Sequence, residues 1–267
     1  MIKYISFFRM RFINGFQYKI AALAGIVTQF VWGAMEILLF QAFYRTNENA
    51  FPMEFSALTS YIWMQQAFLA LFMTWFWEKE LFDSIQTGNI AYELCRPTDI
   101  YTMWFVRGMA NRASKALLRC VPILLMAYLL PKPYGLVLPS DLVLLAWFLF
   151  SMLLGFLVVV AFGMIIYGIT FYTVNPMGVR MVSQSLAEFL AGAVIPLPFL
   201  PDSIKKVVEL LPFAAMQNAP FRIYSGDISG KYLYQTILLQ IIWLVIMVVL
   251  GKIIMHSALK KLCIQGG

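Results

Sequence analysis

The chain has 267 residues, of which 61% are hydrophobic and only 12% charged, and its mean hydropathy is +0.78. Soluble proteins carry about a quarter charged residues, so this balance excludes a water-soluble globule: the polar surface is too small to cover so large an apolar core, whereas a bilayer solvates apolar side chains directly. The 20 Lys and Arg against 13 Asp and Glu flank long apolar runs and form no surface stripe, which reads as membrane orientation and not as nucleic-acid binding.

The first segment, residues 1–19, has Lys3, Arg9, Arg11 and Lys19 scattered among aromatics, so no uncharged signal-peptide core forms before Ile20. Ile5, Phe8, Phe12 and Phe16 share one helical side, which predicts an interfacial helix ahead of the first span. Charge-free runs of about 20 residues, the length that crosses about 30 Å of hydrocarbon, then predict six spans. They lie at about 20–43, 58–77, 113–130, 142–165, 181–195 and 232–254. The third requires Arg119 to snorkel toward one face. The fourth belongs to a stretch too long for one perpendicular crossing, so it either projects beyond the bilayer toward Tyr172 or breaks at Gly163 or Gly168.

Six is even, so both ends of the chain share a side. Placing them inside puts 14 of the 20 Lys and Arg in cytoplasmic segments, and leaves Arg45, Lys132, Lys205, Lys206, Arg222 and Lys231 outside among carboxylates that include Glu48, Glu54 and Asp141. Cys95, Cys120 and Cys263 are odd in number and fall in or beside the cytoplasmic segments, so no disulfide framework is expected.

Two connections are long enough to carry function. Between spans two and three, a charged helical turn begins at Glu78, Gly88 is placed to cap it, and Pro97 ends a second short helix. Here Glu78, Glu80, Asp83 and Glu93 flank apolar Leu81, Phe82, Ile85, Ile90 and Leu94, the pattern of a docking face with a charged rim for a soluble partner. Between spans five and six, Pro196, Pro198 and Pro201 break the helix, and Ile204, Val207, Val208 and Leu211 follow behind Asp202 as a cap. Apolar backbone at that depth must be helical or covered by protein, which predicts short re-entrant or interfacial helices.

The chemistry-bearing motifs are few. His256 has no Cys, Asp or Glu at metal-ligand spacing, and no nucleophile elbow or paired carboxylates occur. The stretch from Ser225 to Tyr232, SGDISGKY, lacks both the first glycine of a phosphate loop and the Ser or Thr after Lys231, so ATP binding in this chain is not expected. The polar residues within the spans are the remaining candidates. Gln29 and Glu36 share a face with Gly33, and Gln184 and Glu188 share one with Ala191 and Gly192. Each pair either lines a path or makes interhelical hydrogen bonds. Gly155, Gly163, Gly168, Ala187, Ala191 and Gly192 are expected at close helix contacts.

Three features carry a family resemblance: GNIAYELCRP at Gly88 to Pro97; IPLPFLP at Ile195 to Pro201 followed by LLPF, with Pro212, and Pro220; and the terminal LKKLCIQGG. In their order and spacing the chain resembles the membrane subunits of ABC-2 type ATP-binding-cassette exporters, the six-span bacterial permeases of that group. Cys95 departs from the pattern, standing where an aliphatic residue is expected.

The resemblance implies an all-α integral membrane protein of the bacterial plasma membrane, forming a single permease domain with both termini cytoplasmic. It has an elbow helix, six spans, a coupling helix between spans two and three, and re-entrant helices before span six. It also implies a dimer, with a second copy or a homologous permease, and cytoplasmic ATP-binding-cassette ATPases that bind the ATP and Mg, with no cofactor in this chain. ATPase coupling then falls to Glu78, Phe82, Asp83, Gly88, Glu93, Leu94, Arg96 and Pro97. The alternative is an ion-coupled secondary carrier, which needs an inverted repeat that the two halves do not display.

Overall fold

The computed structural model describes residues 2–17, 19–46, 51–139, 141–173 and 175–261, with the side chains of Lys19 and Ala21 left aside. Glu48, Cys263 and the rest of the C-terminal LKKLCIQGG stretch beyond Lys261 lie outside those residues. The described residues form twelve α-helices and no strand. In chain order these are α1 (Ile2–Gly15), α2 (Lys19–Thr46), α3 (Phe55–Ala67), α4 (Leu69–Phe72), α5 (Lys79–Gln86), α6 (Ile90–Leu94), α7 (Ile100–Leu129), α8 (Leu142–Thr170), α9 (Pro176–Leu190), α10 (Asp202–Val208), α11 (Asn218–Tyr224) and α12 (Gly230–Lys260). Three of them are long and apolar enough to cross a membrane: α2 from Ala22, α8 and α12.

Contacts between loops sort the helix ends onto two sides. At one end Lys3 Nζ donates to the Pro97 carbonyl at 2.8 Å, the Arg180 guanidinium lies 4.9 Å from the Phe82 ring, and Lys252 and Lys261 sit over Tyr101 and Tyr172. That gathers the starts of α1, α5, α7 and α9 with the ends of α8 and α12. At the other end Trp63 Nε1 donates to the Tyr134 carbonyl at 2.8 Å, Tyr224 donates to the Val137 carbonyl at 2.9 Å, and Trp147 meets Tyr234. The expected cytoplasmic loops thus cluster at the first end and the expected external loops at the second.

The interiors of several elements differ from the sequence reading. The second run breaks at Phe68 and its helix stops at Phe72, short of the expected Trp77. The cause is Arg112, buried at 6% exposure, whose guanidinium donates to the carbonyls of Leu71 (3.1 Å), Met73 (2.8 Å) and Phe76 (3.1 Å). With those carbonyls satisfied from α7, the chain can leave the helix while still buried. Helix α7 begins at Ile100, well before Ala113, because Asp99 caps it through Thr102 N at 2.9 Å and because its arginines find partners inside the fold. Helix α8 runs unbroken through Gly163 and Gly168. Helix α9 starts at Pro176 behind an Asn175 cap and ends at Leu190, where Gly192 takes a positive φ of +73°, so it begins and stops earlier than 181–195. Asp202 is the first residue of α10 and not its cap, which falls to Pro201.

Helices α8 and α12 pack closely, tied by Ser151 Oγ donating to Gln240 Oε1 at 2.8 Å. The small residues play mixed parts. A Cβ on Gly155 would collide with the Met216 carbonyl, and one on Gly168 would crowd Ile254 of α12, whereas Gly163 faces open space. Met216 therefore lies against the middle of α8, as does Phe213, which packs edge-on against Phe162. Gln240 Nε2 satisfies the Ala215 carbonyl there at 2.9 Å. The connection before α12 thus dips to mid-helix depth and returns through α11, whose Phe221 is fully buried against Tyr61 and Phe72. Pro196, Pro198 and Pro212 are buried along this connection, Pro196 just before its 3-10 turn, while exposed Pro201 precedes α10. Arg222 bonds Glu209 and Asp227 at its outer side. Burial alone would lower the Arg222 pKa, but the carboxylates prevail and hold it above the ordinary value.

Candidate coupling junction

Between α4 and α7 the chain makes the elbow formed by α5 and α6. Helix α5 is strongly amphipathic, and its apolar side, Leu81 and Phe82, is buried at 1% and 2% exposure. Phe82 packs against Trp77 and Tyr167 and under the Arg180 guanidinium. The sequence reading placed Phe82, Leu81 and Ile90 on an outward docking face. All three are instead core residues, because an amphipathic helix shows which side is apolar but not whether that side meets the same chain or a partner. Covering a phenylalanine in this way is worth about 2 to 3 kcal/mol.

The turn behind α5 follows the expected pattern. Thr87 N donates to the Asp83 carbonyl at 2.9 Å, and Gly88 takes φ +75° in open space, a conformation that L side chains rarely adopt. Helix α6 then presents Tyr92 and Leu94 outward at 74% and 40% exposure. Asp83, Cys95, Arg96 and Pro97 are exposed beside them. The outward apolar anchors are therefore Tyr92 and Leu94.

The acidic rim is divided in two. Asp83 stays free on the surface, but Glu78 is drawn inward: Arg107 Nε donates to it at 3.3 Å, Asn111 bonds its second oxygen, and its backbone N–H donates to the Tyr167 hydroxyl at 2.9 Å. Arg107 also bonds Glu80, whose carboxyl is held below the usual carboxylate range by that hydrogen bond and the guanidinium charge. Glu93 accepts from Trp104 Nε1 at 2.6 Å, so it ties α6 to α7 and is not part of an open rim. Arg11 of α1 feels the same cluster. Burial, and next the Arg107 charge, push its pKa down while Glu80 and Glu78 oppose.

The junction thus joins α5, α6, α7, α8 and α9 through one set of ion pairs and rings, with Arg11 of α1 within its electrostatic reach. Arg107, Asn111, Trp104 and Tyr167 escaped the sequence reading. The four-residue spacing of Arg107 and Asn111 is the signal that could have placed both on one side of α7.

Along the long helices, Gly33 and Glu36 face α3, and Gln29 is buried with its Oε1 unpartnered. Gln66 Nε2 donates to Glu36 Oε2 at 3.4 Å, and a Cβ on Gly33 would press on Gln66 and Trp63. Glu36 therefore makes an interhelical hydrogen bond. Gln184 and Glu188 are half-buried on α9, and Glu188 Oε1 is buried without a partner. Among the described residues no three His, Cys, Asp or Glu side chains are grouped to hold a metal ion.

No curated protein and no solved structure matches the chain. The family model described as ABC-2 family transporter protein matches residues 30–266, which include α3 to α12 and so every junction element except α1, and the chain therefore belongs to the ABC-2 family as a membrane component of a transport system.

Proposed function

We propose that the chain is the membrane-spanning subunit of an ATP-driven exporter, coupled through α5 and α6 to separate cytoplasmic ATPase subunits. Family membership and the buried junction behind the elbow support this reading together. The chain crosses the bacterial plasma membrane six times, with α2, α3–α4, α7, α8, α9 and α12 as the crossings, α1 as the elbow helix and α11 with its incoming turn as the re-entrant element. The end holding the starts of α1 and α7 is cytoplasmic. Two permeases, identical or homologous, enclose the path between them. ATP-driven closure of the ATPases pushes on the outward face of α6, and the junction passes that motion to the spans. Glu188 is the carboxylate assigned to the path, being half-buried with one buried, unused oxygen.

The test is co-purification with the ATPase and vesicle transport. ATP-dependent transport by the joint complex supports the proposal. A chain that comes out alone and transports on an ion gradient is a secondary carrier, and the proposal fails. Sidedness is tested separately with reporters: cytoplasmic after Gly267, external near Asn49, which lies outside the described residues, or Gly226. Labelling of exposed Cys95 by an impermeant maleimide in intact cells overturns the orientation.

A further inference from the structure

Where α7 begins and α12 stops, a crevice of about 340 Å³ opens between them, lined by Asp99, Tyr101, Lys252, Met255, His256 and Leu259. That volume falls within the range of small-molecule sites. Lys252, His256 and Lys260 recur every four residues on α12, so one exposed side of its last turns is basic. Across the crevice Tyr101 is 5% exposed, its ring lies 5.8 Å from Lys252 Nζ, and its hydroxyl is buried without a hydrogen-bond partner. A buried hydroxyl with nothing to bond carries a desolvation penalty that a ligand oxygen would relieve. The one acid of the crevice, Asp99, has only Oδ2 engaged, by the N–H and hydroxyl of Thr102 in the first turn of α7, and it is outnumbered by the donors of Lys252, His256 and the Tyr101 hydroxyl. The donors are thus suited to a phosphate.

A phosphate could be free or belong to a lipid, and the surface beside the crevice decides between them. Val249 and Ile253, on the same side of α12 as His256, are exposed at 48% and 57% and continue the crevice as an apolar strip along the helix. Acyl chains would cover that strip, whereas a free anion has no use for it. We infer that the crevice seats the headgroup of an acidic phospholipid, its phosphate between Lys252, His256 and the Tyr101 hydroxyl and its chains along Val249 and Ile253. The choice of the cytoplasmic leaflet rests on the sidedness proposed above, while the site itself does not.

The test is native mass spectrometry of the full chain released from nanodiscs of equal parts phosphatidylglycerol and phosphatidylcholine. The wild type should retain phosphatidylglycerol preferentially. The Lys252→Gln, His256→Gln double variant should retain at least about fivefold less, the loss expected for one basic group near an anionic surface. Tyr101→Phe should also retain less, and Lys231→Gln at the opposite end should match wild type. Lys252 and His256 are exposed, so equal melting temperatures in phosphatidylcholine-only discs will show that the double variant folds. Equal retention by wild type and double variant, or no preference for phosphatidylglycerol, overturns the inference. Full thermal protection by inorganic phosphate in phosphatidylcholine-only discs also overturns it, by making the crevice a free-anion site. Both leaflets of a nanodisc carry the lipid, so an error of sidedness or of ATPase coupling leaves this result unaffected.

Discussion

The elbow separates two kinds of apolar residue, and substitutions should separate them in solution. Leu94 is 40% exposed, and Leu→Ala removes about three carbon groups worth about 0.8 kcal/mol each when fully covered. About two fifths of that remains to be gained on docking, or about 1 kcal/mol. Tyr92 is 74% exposed, and truncating an aromatic anchor at the centre of an interface costs about 2 kcal/mol. The Tyr92→Ala, Leu94→Ala variant should therefore bind the ATPase about 150-fold more weakly while its melting temperature stays close to wild type. Phe82→Ala should do the reverse in the first instance. At 2% exposure it removes the packing between Trp77, Tyr167 and Arg180, which costs about 3 to 5 kcal/mol of stability. The assay is titration of ATPase onto the permease in nanodiscs, beside a thermal unfolding curve. Wild-type affinity in the double variant would refute the docking face and move attention to the short turn at Asn175 to Arg180. An unchanged melting temperature for Phe82→Ala would refute the internal role.

Gly155→Ala should lower stability by about 1 to 3 kcal/mol because the new methyl meets the Met216 carbonyl, whereas Gly163→Ala, in open space on the same helix, should be neutral or stabilising by up to about 1 kcal/mol; paired melting curves decide. Arg112→Met should cost about 3 kcal/mol or more by stranding the carbonyls of Leu71, Met73 and Phe76, and Arg112→Lys should recover only part of that, since an ammonium lacks the fork that reaches all three. Glu80 has a folded pKa below its unfolded value of about 4.3, so its stabilisation is present above that pH and fades as pH falls through the lowered value; Glu80→Gln should flatten the acid side of the melting profile, and an unchanged profile would refute the pairing with Arg107. Glu188→Gln should alter transport while basal ATPase activity and assembly hold, whereas a lower melting temperature with unchanged substrate preference would assign Glu188 to packing.

Much of this architecture was legible because lipid-facing helices must be apolar along their whole length. Apolar runs with at most one charge located α2, α8 and α12 for that reason, and the turn at Gly88 followed from a glycine placed behind a helical turn. The limits of α7 were illegible for the converse reason. Arg107 and Arg112 looked like residues that must stay outside, yet Glu78 and Glu80, 29 and 27 residues before Arg107, pair with it, and the carbonyls of Leu71, Met73 and Phe76, 36 to 41 residues before Arg112, satisfy that guanidinium within the fold. The same long-range satisfaction by Arg112 hid the break after Phe72. Phe82 was placed correctly on the apolar side of its helix and wrongly in space, since a one-dimensional pattern does not say which neighbour that side meets.

The junction and the pair of long helices behind it are tied together by different contacts, and under the proposed coupling that difference bears on how a push at the elbow would travel. Helices α8 and α12 are locked at mid-length by Gln240, which bonds Ser151 and the Ala215 carbonyl at once, so the core and the dipping connection move as one body. Helix α7 is held to α5 by Glu78, Glu80 and Arg107, and to α6 by Trp104 and Glu93, so it follows the elbow. Between these two bodies lies a small cavity of about 20 Å³, bounded by Gly108 of α7, Gly163 of α8, Trp77 and Tyr167. It has room for about one water, and the buried Trp77 indole N–H beside it has no partner. A displacement of α6 would therefore carry α7 across this gap with little steric resistance, while Tyr167 and Phe82 limit how far α5 can leave α8. Filling the gap at Gly163 with a larger side chain than alanine should therefore slow ATP-driven transport while leaving ATPase binding at wild-type affinity; wild-type transport by a Gly163→Leu variant would refute a hinge at the α7 and α8 boundary.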